Sequence, residues 1–233
     1  MTGTIINVVA IIVGSLLGLM FGSRIPERLK MTVIAGMGLF TAAMGMQMFV
    51  KSENQLIVLG ALILGILVGE TLGIEDGLQA LGQKLEQRFS RDTETGTGSR
   101  FVRGFMVSSL LFCIGPMAIL GSIQDGLTGD YNLLAVKSTL DGFASIAFAS
   151  TLGIGVMFSS VILLAYQGGI SLLAAQLSAI VTAPMMNEMT ATGGVLLLGL
   201  GISNLLEIKK IRVGNFLPAL IFAPLIVWIL SKF

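Results

Sequence analysis

The chain has 233 residues, 54% of them hydrophobic and only 12% charged, and its mean hydropathy is +0.92. So little polar surface cannot coat a globule in water, whereas a bilayer solvates apolar side chains. A net charge of +1, no histidine and a single cysteine, Cys113, exclude a global field for nucleic acid, zinc chemistry, Ser-His catalysis and an intramolecular disulfide.

A helix needs about 20 apolar residues to cross a hydrocarbon core about 30 Å thick. That ruler predicts an all-α, polytopic transmembrane helical bundle of about eight spans, with seven as the alternative. Spans at 3–22, 31–50 and 55–74 come first. An amphipathic helix follows at 75–90, where Leu78, Leu81, Leu85 and Phe89 recur at helical spacing opposite Gln79, Gln83, Lys84, Gln87 and Arg88. It is expected on the inner leaflet or, alternatively, packed as an extension of the preceding helix. Residues 91–100 read as a flexible loop. The span at 105–123 contains Gly115 and Pro116, and proline removes a backbone hydrogen bond, so a kink or break is expected there. A polar linker at 124–140 leads to spans at 141–165 and 168–183, divided at the turn signal Tyr166-Gln167-Gly168-Gly169. Spans at 191–206 and 214–230 complete the set. Weak matches of the third with the seventh span, the fourth with the eighth and the first with the fifth divide the chain into halves 1–123 and 141–233, predicted to be two parallel four-helix repeats.

Loops on one side carry Arg24, Arg28, Lys30, Lys84, Arg88, Arg91, Arg100, Arg103, Lys209, Lys210 and Arg212, eleven of the fourteen basic residues. Positive loops stay in the cytoplasm, so both termini are predicted outside. Arg24, Arg28 and Lys30 follow the first span instead of preceding it, so it reads as a retained anchor.

Four stretches carry a family likeness: Gly-Thr-Ile-Ile-Asn-Val-Val at 3–9, Gly-Glu-Thr-Leu-Gly-Ile-Glu-Asp at 69–76, Cys-Ile-Gly-Pro-Met-Ala-Ile-Leu-Gly-Ser-Ile-Gln-Asp-Gly at 113–126, and Lys-Ser-Thr-Leu-Asp-Gly-Phe-Ala-Ser at 137–145. The chain resembles the bacterial YqgA/YdfK family of inner-membrane proteins with a domain of unknown function. The resemblance implies a multi-pass protein of the bacterial inner (plasma) membrane with a transport role. It implies no substrate and no catalytic residues.

Polar groups held in a membrane are costly, and they are the candidate site. Glu70 lies between Gly69 and Thr71 near the end of its span, and Asp141 begins the fifth, four residues after Lys137. An i,i+4 ion pair is expected there, as a structural bridge or as a gate. Gln124 and Asp125 follow the Gly115-Pro116 break, where an interrupted helix exposes amides and carbonyls to a ligand. Asn7 and Asn204 add amides that serve as interhelical glue or line a path. Small residues at every fourth position, Gly14, Gly18 and Gly22 after Ala10, and Gly65, Gly69 and Gly73 after Ala61, predict close helix packing, within one subunit or in a homo-oligomer. The thirteen methionines, among them the Met185, Met186 and Met189 group expected in an outer loop beside Glu188, read as flexible packing before copper ligands.

The reading that gathers these signals is a secondary transporter or facilitator for a small polar solute or ion, with Glu70, Asp141, Gln124, Asp125, Asn7 and Asn204 along its pathway. A channel and a non-transporting scaffold or regulatory subunit are the alternatives. No enzymatic activity, metal or cofactor is expected, and the partners expected are the lipid bilayer and the solute, not nucleic acid.

Overall fold

A computed structural model describes residues 1–22, 25–89 and 100–232. Arg24 and residues 91–99 of the loop expected at 91–100 lie outside the described residues, and Arg100 begins the next helix. Every regular element among the described residues is helical. In chain order these are α1 (Thr2–Gly22), α2 (Glu27–Phe49), α3 (Gln55–Leu72), α4 (Ile74–Phe89), α5 (Arg100–Cys113), α6 (Pro116–Thr128), α7 (Asn132–Leu152), α8 (Gly155–Leu172), α9 (Ala174–Ser178), α10 (Ala183–Leu200) and α11 (Ala219–Leu230), with a π-helical turn at Gly201–Leu205 and a 3₁₀ turn at Val213–Phe216. Five of the helices, α1, α2, α3, α7 and α8, and the segment Val213–Leu230 are long and apolar enough to cross a membrane. The pair α5 and α6, bent by 63° at the Gly115-Pro116 break, makes a seventh candidate. α10 falls short, because Asn187 and Glu188 lie inside it and lower its hydropathy.

Two boundaries correct the expectations, and residues 132–140 of the expected polar linker are the first part of α7. The run predicted to divide at Tyr166-Gln167-Gly168-Gly169 instead divides at Gly153, whose φ of 83° stops α7 with its N–H on the Ala149 carbonyl. Two adjacent glycines are tolerated inside α8, since a helix packed on its neighbours keeps its own hydrogen bonds. The segment expected as an outer loop with Met185, Met186 and Glu188 is the first half of α10, and Met185 and Met186 are buried.

The chain forms two compact units that interleave along the sequence rather than following one another as consecutive halves. Unit 1 contains residues 1–36, 79–113 and 117–179; unit 2 contains 37–78, 114–116 and 180–233. Within unit 1, α1 and α7 run side by side in parallel: Gly3 meets Leu134, Gly14 meets Gly142 and Ser145, Gly18 meets Ile146 and Ala149, and Gly22 meets Ser150. A methyl group on Gly14 or Gly18 would collide with the Gly142 or Ile146 carbonyl oxygen, so the small-residue ridge is the contact surface of α1 with α7. α1 turns Ile5, Val9, Val13 and Leu16 outward and buries Thr4, Asn7 and Ser15. That inversion of the soluble pattern is what lipid permits and water does not.

In unit 2, α3 starts where Asn54 Oδ1 accepts the Leu56 N–H at 3.1 Å and stops at Gly73, which is left-handed at φ 61°. Gly65 and Gly69 of its ridge lie against Ala219 and Asn215, in the start of α11 and the 3₁₀ turn before it. α4, the helix expected to be amphipathic, keeps Leu81 and Phe89 exposed and turns Glu75, Gly82 and Glu86 inward.

Candidate functional site

Asp141 is the tenth residue of the twenty-one in α7, so it sits near the middle of a helix long enough to cross the hydrocarbon core. Its Oδ2 pairs with Lys137 Nζ one turn back and accepts a hydrogen bond from Asn7 Nδ2 of α1 at 2.9 Å. The Lys137 and Asp141 side chains are only 8% and 11% exposed. The Lys137 ammonium also lies 5.9 Å from the ring centre of Phe112, at the end of α5. Sequence spacing found the ion pair; the parallel packing of α1 on α7 brings Asn7 to it.

The unit that holds this cluster also holds polar atoms without partners. Among the described residues, Asn7 Oδ1, both amide atoms of Gln167, and the hydroxyls of Thr4, Ser15, Ser108, Ser109 and Ser145 are buried and make no hydrogen bond. Other buried hydroxyls of the same unit do tie back to the preceding turn, as Ser122 does to the Ala118 carbonyl at 2.6 Å and Ser138 to that of Leu134 at 2.6 Å. At about 1–3 kcal/mol for each unmet group, eight such atoms cost on the order of 10 kcal/mol if dry. That equals the whole stability of an ordinary domain, about 5–15 kcal/mol. Groups of this kind are ordinarily met by ordered water, a polar solute or a small local rearrangement.

Several other acids among the described residues make structural contacts. Asp125, buried on α6, accepts the Gly3 N–H at 3.0 Å through Oδ2 and lies 3.2 Å from the Met1 amino group through Oδ1, neutralising the start of α1. Gln124, beside it, is exposed. In unit 2, Glu188 accepts from Ser52 Oγ at 2.8 Å and from the Glu53 and Asn54 N–H groups at 2.8 and 2.9 Å, holding the start of α3. Glu75 accepts the Gly214 N–H at 2.7 Å and donates its own N–H to Asn215 Oδ1 at 2.7 Å. Glu70 is 43% exposed and pairs with Arg212 at 2.9 Å, which also binds Asp76 at 2.6 Å. The Asp76 hydrogen bond, the Asp76 charge and that of Glu70 push the Arg212 pKa above its ordinary value. Asn204 lies in the π-helical turn of unit 2.

Of the six pathway residues expected, the structure brings together Asn7 and Asp141, beside the expected ion-pair partner Lys137. Glu70 is on an exposed ion pair, Gln124 is on the surface and Asp125 is a cap. Sequence reasoning took Gln167 for a turn marker and passed over the serines. The signal was present in the i,i+3 and i,i+4 run of Ser160, Leu163, Gln167 and Ser171 on the buried face of α8.

A family described as "Protein of unknown function (DUF554)" matches residues 2–228. The chain is 32% identical over 237 residues to "Uncharacterized membrane protein YdfK" of Bacillus subtilis (strain 168), covering 100% of this chain and 98% of that one. It is 34% identical over 221 residues to "Uncharacterized protein YqgA" of Escherichia coli (strain K12), covering 95% and 94%. No solved structure matches it.

Proposed function

The chain belongs to the DUF554 family, and we propose that it is a secondary transporter or facilitator for a small polar solute or ion whose pathway runs through the buried polar cluster of unit 1. The observation that carries this reading is the Lys137–Asp141–Asn7 cluster halfway along a membrane-length helix, in a unit that also holds unmet amide and hydroxyl groups. A charged pair in such a place is retained against a desolvation cost, and ion and solute paths are where such costs recur. Lys137 and Asp141 are the charged station, while Asn7, Gln167, Ser108, Ser109 and Ser145 line the way to it. The distribution of basic residues supports an inner-membrane orientation with both termini outside.

The test uses purified full-length protein in liposomes and labelled sodium, chloride, L-lactate, glycine and urea. Protein-dependent uptake of at least one probe is expected. Exchanging the pair for apolar side chains, Lys137→Met with Asp141→Leu, avoids leaving one charge alone and should abolish that uptake, while Glu70→Gln should keep it. Uptake by the double variant at the wild-type rate would remove the cluster from the mechanism.

A further inference from the structure

The transport reading leaves the cargo open, and the charge of the cluster narrows it. We propose that the solute is a small monovalent anion carried together with one proton, Asp141 taking the proton and Lys137 the anion. This inference rests on the transport reading above.

As folded, the two side chains neutralise each other, and so deep a site tolerates a net charge poorly. A sodium ion entering alone would make the site positive, with the Lys137 ammonium against it. No group of three His, Cys, Asp or Glu side chains that could hold a metal ion exists among the described residues. A proton is different. Added to the Asp141 carboxylate it forms a neutral acid and takes away the counter-charge of Lys137. One anion beside the freed ammonium then restores neutrality, so the net charge is zero before and after the step. On the other side the proton leaves Asp141, the carboxylate reclaims Lys137 and the anion is displaced.

The unmet groups suit this exchange. Lys137 has two N–H donors beyond the one on Asp141, and the same unit holds further unpartnered donors in Gln167 Nε2 and the hydroxyls of Ser108, Ser109, Ser145 and Thr4. Asn7 Nδ2 serves the ionised Asp141. The same amide turned over would offer its unpaired Oδ1 to the O–H of the protonated acid. Few other titratable groups compete. On α5 the Cys113 thiol lies within charge range of both partners, while Arg100 and Arg103 stand at the far end of that helix. α1 contributes only the Met1 amino group, held with Asp125 of α6, and α8 only Tyr166.

Liposomes containing the purified full chain are given an inward proton gradient, and uptake of labelled L-lactate, chloride, nitrate and phosphate is measured with membrane voltage clamped at different values. At least one anion should accumulate with the gradient, independently of voltage, and the lumen should acidify in step. Asp141→Asn should lower gradient-driven uptake by about tenfold or more, Lys137→Gln should remove anion uptake, and Lys137→Arg should retain part of it. In detergent, the same anion should raise the melting temperature of the wild type more at acid than at alkaline pH, and that pH dependence should vanish in folded Asp141→Asn. Uptake of none of the four anions, or uptake that follows voltage, overturns the proposal. If glycine, urea or sodium is moved instead, the anion proposal fails and the transport reading stands; if no probe of either set is moved, both fail.

Discussion

Both units bury acids, and they treat them differently. In unit 2, Glu188 receives three donors at the head of α3, and Glu75 is bonded to the 3₁₀ turn through both its side chain and its backbone. Asn215 Nδ2 is the single unpaired buried side-chain atom of that unit among the described residues. Unit 1 ties Asp125 to the head of α1 in the same manner, yet it leaves Asn7, Gln167 and five hydroxyls with unmet hydrogen bonds in the unit that also holds the Lys137–Asp141 pair. A carboxylate that stops a helix end completes a fold. Amides and hydroxyls with nothing to bind, beside a charge pair, complete something only when water or a solute arrives.

The contrast predicts a hierarchy of substitutions. The largest effect belongs to breaking the pair: Asp141→Leu alone leaves the Lys137 ammonium buried without a counter-charge and should cost about 3–5 kcal/mol of stability, whereas adding Lys137→Met should recover most of it. Denaturant or thermal unfolding in detergent measures both. Next is Gly18→Leu, which drives a side chain into the Ile146 carbonyl and should cost about 1–3 kcal/mol, or unseat α1 from α7 altogether. In unit 2, Glu188→Gln weakens charge-assisted bonds to the start of α3 and should cost about 1–2 kcal/mol while leaving transport intact in folded protein. Loss of transport in that variant would erase the distinction between the units. Smallest of all, Glu70→Gln should barely move the melting temperature, and less still at high salt, because its pairing with Arg212 is exposed and screened.

Local features were legible in the sequence and tertiary ones were not. Pro116 breaks its helix wherever it is placed, and Lys137 meets Asp141 because four residues make one turn. Asn7 was visible as a buried amide, but its bond to Asp141 depends on α1 lying parallel to α7, which nothing local specifies. The break at Gly153 carries no polar punctuation between Leu152 and Ile154, while Tyr166-Gln167-Gly168-Gly169 carries much and breaks nothing. Glu188 looked like a loop residue because an acid reads as solvent-seeking. It is helical and buried because Ser52 Oγ and the Glu53 and Asn54 N–H groups, just before α3, supply the bonds that water would have. Glu70 was expected on the pathway beside Gly69, but its rotational phase on α3 turns it out toward Arg212.

The wetness of unit 1 is the point on which the rest depends, and an experimental structure resolving ordered water would test it most directly. Discrete water or solute density bridging Asn7, Asp141, Gln167 and the hydroxyls of Ser108, Ser109 and Ser145, with none comparable within unit 2, is the predicted result. A dry unit 1, in which those same groups have closed hydrogen bonds onto one another and onto the backbone, would contradict it.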